Sequence, residues 1–309
     1  MKTARAITST RCYAVSIPMP CARCDDTGWR PVDRDGVRRV ERCECWVEAL
    51  SGRLLQEARI PARYARATLE NFVIYPNDEL VDAIAQAQRF VAAFPAVEKG
   101  LCLIGPAGIG KTHIAVAVLR QIVVEKLVRG MFCDVPDLLR VIRSTYNPSV
   151  RAAEMDILRP VMEAELLVLD DLGKEKPSEW VEETMNLIVG TRYNKRLPTI
   201  LTTNHEDSPD ETNLDSLKVR VGFRMHSRLH EMCEFLEYFG ADYRELPPNG
   251  GVEDLVTLWK KAPRRKTLPA RSAGPIRAQL SESRARQEME DRKKDPRELK
   301  WPGGKAGSQ

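Results

Sequence analysis

Eight consecutive residues, Gly105, Pro106, Ala107, Gly108, Ile109, Gly110, Lys111 and Thr112, carry the sharpest chemical signal in the chain. They leave the apolar run GLCLIG and open the run THIAVAVLRQIVVEKL, in which Ile114, Val118 and Ile122 form an apolar stripe. A glycine-rich loop between a strand and a helix turns successive backbone N–H groups onto a phosphate, and the helix N-terminus adds partial positive charge. Lys111 is expected on an exposed loop, reaching β- and γ-phosphate oxygens, with the Thr112 hydroxyl on Mg²⁺. The implied cofactors are ATP and Mg²⁺. The alternative is a glycine-rich turn that binds nothing.

A phosphate site also needs acids. In ELLVLDDLG an apolar run delivers Asp170 and Asp171 to the carboxyl end of a strand, where open α/β sheets bind ligands. Asp170 would hold hydrated Mg²⁺ and Asp171 would orient the attacking water; the bland alternative is a strand end with solvated acids. PTILTTN is a further strand, and an amide at Asn204 could touch both γ-phosphate and water as a sensor, although Asn after a strand is ordinarily a turn residue.

A second chemistry is carried by sulfur. Cys21 and Cys24, then Cys43 and Cys45, give four thiols in two close pairs around a stretch patterned as a hairpin. Four soft ligands suit a tetrahedral Zn²⁺, which could hold together a segment too short to build a core. Scattered reduced thiols are the alternative. Cys102, Cys133 and Cys233 lie in or beside apolar strands as small hydrophobes, and Cys12 stands alone. His113 reads as a helix-face residue.

These groups must be positioned by elements, and the pattern supplies them. Residues 1–50 form the cysteine-rich zinc module, 51–98 a helical connector interrupted at Pro61, 99–245 the nucleotide-binding domain, and 246–309 a mostly disordered basic tail. Strands are expected at 101–105, 130–135, 165–170, 198–203 and 234–239, with helices at 78–94, 112–128, 137–145, 152–163 and 179–193. Strands alternating with helices imply right-handed crossovers and a parallel, doubly wound α/β sheet. The 309 residues carry a net charge of +4, but residues 246–309 hold 15 Lys/Arg against 8 Asp/Glu, leaving −3 on the body. Such a tail suits an anionic partner or simple solvation. It holds at most one helix, near 276–294. With no apolar stretch long enough for a membrane helix or a secretory signal, the expected location is cytoplasmic.

GPAGIGKTHIAVAVL, FCDVPDLLRVIRSTY, LLVLDDLG, RYNKRLPTILTTN, VGFRMHSRL and YFGADYR together resemble the DnaC/DnaI-type helicase loaders and the related IstB-type transposition ATPases of the AAA+ superfamily. The resemblance spans about residues 55–245, and the cysteine module extends it toward residue 20. It implies an AAA+ fold without a C-terminal lid, and an ATPase that delivers a replicative hexameric helicase onto single-stranded DNA. An arginine finger in trans would be Arg228 or, as runner-up, Arg224, with an ordinary surface arginine as the alternative. The resemblance also implies self-association through a shared ATP site and DNA contacts at Arg143, Tyr146 and Arg151, unless that segment is a plain surface loop. Many AAA+ proteins have Glu where Asp171 stands, which implies slow hydrolysis, and no lid follows Arg244 to supply a second sensor arginine. The rivals are a transposition helper and a nucleotide-gated zinc scaffold with negligible turnover. The cysteine module favours the loader.

Overall fold

A computed structural model describes residues 21–146, 154–209, 213–248 and 250–261. The first elements are a hairpin, β1 (Trp29–Arg34) and β2 (Val37–Arg42), paired antiparallel with Arg34 opposite Val37. Asp35 and Gly36 form its two-residue turn, both at positive φ, the conformation that matches hairpin twist. Arg42 lies over the rings of both Trp29 and Trp46, 3.7 and 4.1 Å from their centroids. Helix α1 (Glu44–Glu57) starts immediately after Cys43 and runs on until Leu54 and then Ala58 are buried. The expected boundary at residue 50 therefore falls inside a continuous helix. Its cause is local: RLLQE after Gly52 is made of strong helix formers, and no proline interrupts the run before Pro61.

Helix α2 (Asp78–Ala93) buries Leu80, Ala83, Ile84, Ala87, Phe90 and Val91 at helical spacing. Beyond it come β3 (Gly100–Ile104), α3 (Lys111–Lys126), β4 (Gly130–Asp134), α4 (Val135–Ser144), α5 (Glu154–Glu163) and β5 (Leu166–Asp170). The series ends with α6 (Glu179–Asn194), β6 (Thr199–Thr203), α7 (Leu217–Val221), α8 (Phe223–Met232), β7 (Cys233–Glu237) and α9 (Val252–Lys261). Five strands form one parallel sheet in the order β4-β5-β6-β3-β7. β3, β5 and β6 are buried at every position, as strands covered on both faces must be.

One core joins α1, α2, α3 and α9 to the sheet, and the other joins α4, α5, α6 and α8 to its opposite face. The parallel, doubly wound α/β arrangement is thus as the alternating pattern implied. Helix α9 is a departure, because residues from 246 on read as mostly disordered. Leu255 is buried and the Trp259 ring meets Tyr75 at 5.6 Å, so this helix borrows its core from the connector. The expected helix near 276–294 and the rest of the tail lie outside the described residues, as does Cys12.

Candidate functional site

The strand order brings the chemistry to one edge. β6 lies between β3 and β5, with Leu103 opposite Thr202 and Leu169 opposite Leu201, so Gly105, Asp170, Asp171 and Asn204 emerge side by side at the carboxyl ends. The loop from Gly105 to Gly110 needs its glycines. Gly108 has φ +81°, and a Cβ there would stand 1.7 Å from Asp242 Oδ1; Gly110 has φ +93°, and its Cβ would meet the Phe72 ring at 2.5 Å. The backbone is held from outside the loop as well, since Tyr243 N donates to Gly108 O at 3.0 Å.

Lys111 is buried, at 6% exposure, which corrects the expectation of an exposed lysine. Because α3 begins at Lys111 itself, the side chain folds back under the loop. Its Nζ donates to Gly105 O, Pro106 O and Asn204 Oδ1 at 2.7, 2.6 and 2.7 Å. Burial lowers its pKa to about 8 against the opposing pull of Asp171 and Asp170. Thr112 Oγ1 donates to Asp170 Oδ1 at 2.8 Å, and Thr202 Oγ1 donates to the same oxygen at 2.6 Å. Burial pushes the Asp170 carboxyl up, while both hydroxyls pull it down. A hydroxyl and a carboxylate converging next to a phosphate loop fit a hard cation such as Mg²⁺.

Asp171 sits at φ +60°, unusual for a residue with a side chain and costing on the order of 1 kcal/mol. Its N–H donates to Thr202 Oγ1 at 3.0 Å, and its carboxylate accepts from Lys174 Nζ at 2.7 Å and Asn204 Nδ2 at 3.3 Å. Asn204 thus touches both Lys111 and Asp171. Sequence reading missed Lys174, because a lysine in a GKEK stretch looks like any solvated charge.

These groups open on a cleft of about 480 Å³ whose other wall includes Arg63, Tyr64, Asn71, Phe72, Tyr243 and Arg244. The helical connector therefore lines part of the cleft through Arg63, Tyr64, Asn71 and Phe72. His113 is its fastening: Nε2 lies 3.0 Å from both Thr68 O and Asn71 Oδ1, and the ring meets Phe72 edge-on at 5.3 Å. Arg244 is a cleft residue that sequence reading did not single out. The turn Tyr243–Glu245, capped by Asp242 accepting from Arg244 N at 2.8 Å, carries Arg244 into the cleft wall beside Lys111 and Thr112.

Two groups of expected residues stand apart from the cleft. Arg224 and Arg228 lie on α8; Arg224 is exposed, and Arg228 Nη1 approaches Asn186 Oδ1 on α6 at 3.4 Å. Arg143 and Tyr146 lie at the end of α4, where Tyr146 Oη accepts from Trp180 Nε1 at 3.1 Å and the Arg143 guanidinium sits 4.6 Å from the Trp180 ring centroid. Trp180 is thus a neighbour that the sequence did not reveal. Arg151 lies outside the described residues.

The four N-terminal thiols come together. Cys21 Sγ and Cys43 Sγ are 3.8 Å apart, and Cys24 Sγ and Cys45 Sγ 3.5 Å, too far for disulfides. A tetrahedral ion with bonds of about 2.3 Å needs sulfurs about 3.8 Å apart, so the set fits Zn²⁺. The backbone N–H of Arg23 helps lower the Cys21 thiol to about 7, whereas the neighbouring thiols Cys24 and Cys43 push Cys45 up. Cys102, Cys133 and Cys233 are buried in the sheet, as small hydrophobes should be.

The chain is similar to known proteins in sequence and fold. Residues 52–245 match the family of IstB-like ATP binding proteins. The replicative helicase loader DnaC of Escherichia coli strain K12 is 23% identical over 180 residues, covering 57% of this chain and 68% of that protein. The phage-like element PBSX protein XkdC of Bacillus subtilis is 23% identical over 223 residues, covering 69% and 79%. A crystal structure of the DnaC helicase loader superposes with a TM-score of 0.51 at 34% identity, covering 57% of this chain and 99% of that one. With a phosphate loop, paired acids and an intervening amide at one edge of an AAA+ sheet, and a family match across that whole sheet, the chain belongs to the IstB-like ATP binding proteins.

Proposed function

We propose that this protein is an ATP-driven loader that delivers a replicative hexameric DNA helicase onto single-stranded DNA in the cytoplasm. The observation that carries the reading is the 34% identity to a solved DnaC loader over 99% of that chain. Among the described residues, no helix is long and apolar enough to cross a membrane.

In this reading the N–H groups from Gly105 to Gly110 cradle the phosphates of ATP, and Lys111 leaves its loop carbonyls for the β/γ oxygens. Thr112 and Asp170 would hold Mg²⁺, which would neutralise charge on the phosphates. Asp171 orients the water and Asn204 senses the γ-phosphate, while Arg244 supplies positive charge from the same chain. The Lys174 partner of Asp171 keeps that carboxylate engaged, which supports slow intrinsic turnover. Arg228, remote from the cleft of its own chain, acts on a neighbouring subunit, with Arg224 as runner-up. A mixture of Arg228→Ala and Lys111→Ala chains should then recover hydrolysis that neither has alone, since one interface pairs an intact loop with an intact finger. Absence of rescue in chains shown to co-assemble would remove the shared site.

Single-stranded DNA binds at Tyr146 and Arg143, with Arg151 a further contact. Tyr146→Ala should weaken binding roughly five- to 150-fold at fixed salt, the loss of one base stack worth about 1–3 kcal/mol. Unchanged affinity makes this segment a plain surface loop.

The test of the whole reading is capture with the full chain and ATP: a hexameric helicase should be retained. A second reading, a transposition helper ATPase, rests on the IstB-like family match, and retention of a transposase instead would establish it.

A further inference from the structure

Three side chains outside the nucleotide cleft converge on one point. His226 and His230 stand four residues apart on α8 and so share a face. Facing them is Asp207, three residues beyond Asn204 in the loop that leaves β6. Asp207 Oδ1 lies 2.7 Å from His226 Nε2, Oδ2 lies 3.1 Å from His230 Nε2, and the two Nε2 atoms are 3.3 Å apart.

We infer that Asp207, His226 and His230 form a second metal site, for Zn²⁺ or a similar first-row divalent ion, that fastens α8 to the loop after β6. A tetrahedral ion with metal–nitrogen bonds of about 2.0–2.1 Å places its two imidazole nitrogens about 3.3–3.4 Å apart, the separation observed. Each ring could donate an N–H to its own carboxylate oxygen at 2.7 and 3.1 Å; one divalent ion in place of both protons would satisfy both nitrogens and the carboxylate equally, and metal titration separates the two.

The rings are held for this. His230 stacks on Phe235 with centroids 4.1 Å apart and planes at 13°, and His226 meets His230 edge-on at 4.6 Å. Side-chain exposures of 14% for His226, 21% for Asp207 and 43% for His230 leave a path for the ion and room for water at a fourth position. An all-imidazole and carboxylate donor set also separates this site chemically from the thiols at Cys21, Cys24, Cys43 and Cys45.

Its place in the fold gives the ion a task. Arg228 lies between the two histidines in the chain, and Asn204 lies just before Asp207, so one ion would fix the helix that bears the arginine to the strand end that bears the amide. The site itself does not depend on either residue's role in hydrolysis.

The experiment titrates Co²⁺, then Zn²⁺, into the metal-stripped full chain without an affinity tag and without nucleotide. The first Co²⁺ should fill the thiols and give intense sulfur-to-metal charge transfer. A second should add only weak visible bands, and elemental analysis should find one zinc more than the thiols hold. His230→Ala should abolish the second phase and leave the first. Asp207→Asn keeps hydrogen-bonding capacity and should weaken the second phase by more than about tenfold, since removing a direct anionic ligand should cost more than the roughly 10–100-fold typical of losing an outer partner. A thermal melt in chelator confirms that each variant is folded. A titration that ends with the thiolate phase, or a second phase unchanged in both folded variants, overturns the site.

Discussion

Lys111→Ala should lower affinity for ATP by at least about a hundredfold: two charge-assisted hydrogen bonds to phosphate oxygens are worth about 1.5–3 kcal/mol each. The fold should survive. Burial already lowers the pKa of Lys111 to about 8, so its desolvated charge adds little to the stability of the domain. Equilibrium titration with a fluorescent ATP analogue measures the loss, and an affinity within threefold of wild type would remove the phosphate role from this lysine. Asp171→Asn is the companion. It should bind ATP within a few-fold of wild type and lose about 10²–10⁴ in turnover, as expected for loss of a group that positions and polarises water. Hydrolysis at the wild-type rate in that variant would move the role to another residue.

The second large effect concerns the thiols. Replacing Cys24 and Cys43 with Ser should remove one bound zinc per chain and unfold residues 21–43, because so small a hairpin has no apolar core of its own and loses its structure with its metal. Limited proteolysis should then cut within that stretch. The end of α1 should hold, because burial of Leu54 contributes about 1.5–3 kcal/mol independently of zinc. ATP binding should change little, whereas helicase capture should be lost, because the resemblance to the loaders implies that the cysteine module docks the helicase. A truncation made to test this belongs before Cys43, since removing residues 1–50 would also delete half of α1. Zinc content unaffected by the double replacement would disprove the thiol site.

How far the sequence could be read depends on whether a residue's neighbours are local. GPAGIGKT and LLVLDDLG place their own chemistry, since strand, turn and helix are written in one short run. PTILTTN needed only adjacency in the sheet. Arg244 was illegible, because its approach to the cleft depends on Asp242 and Tyr243 meeting Gly108 across well over a hundred residues of chain. The connector's Asn71 and Phe72 were hidden for the same reason, and so was the meeting of Asp207 with two histidines. Arg192 shows the limit most clearly. It is fully buried, donating to Thr199 Oγ1 and to the carbonyls of Val161, Ala164 and Pro198, yet nothing in TRYNKR separates it from the solvated cations beside it.

The helix that starts just after Cys43 has a mechanical consequence. Fourteen residues at about 1.5 Å each make a stiff arm about 21 Å long. Its far end is clamped between α3, whose first residue is the phosphate-loop lysine, and β4. A hinged tether would absorb a rotation of α3, but a continuous helix passes it on as a swing of the thiol cluster. Whatever load the hairpin carries would therefore be moved by the arm, with the stroke set by helix length and the pivot placed at Leu54.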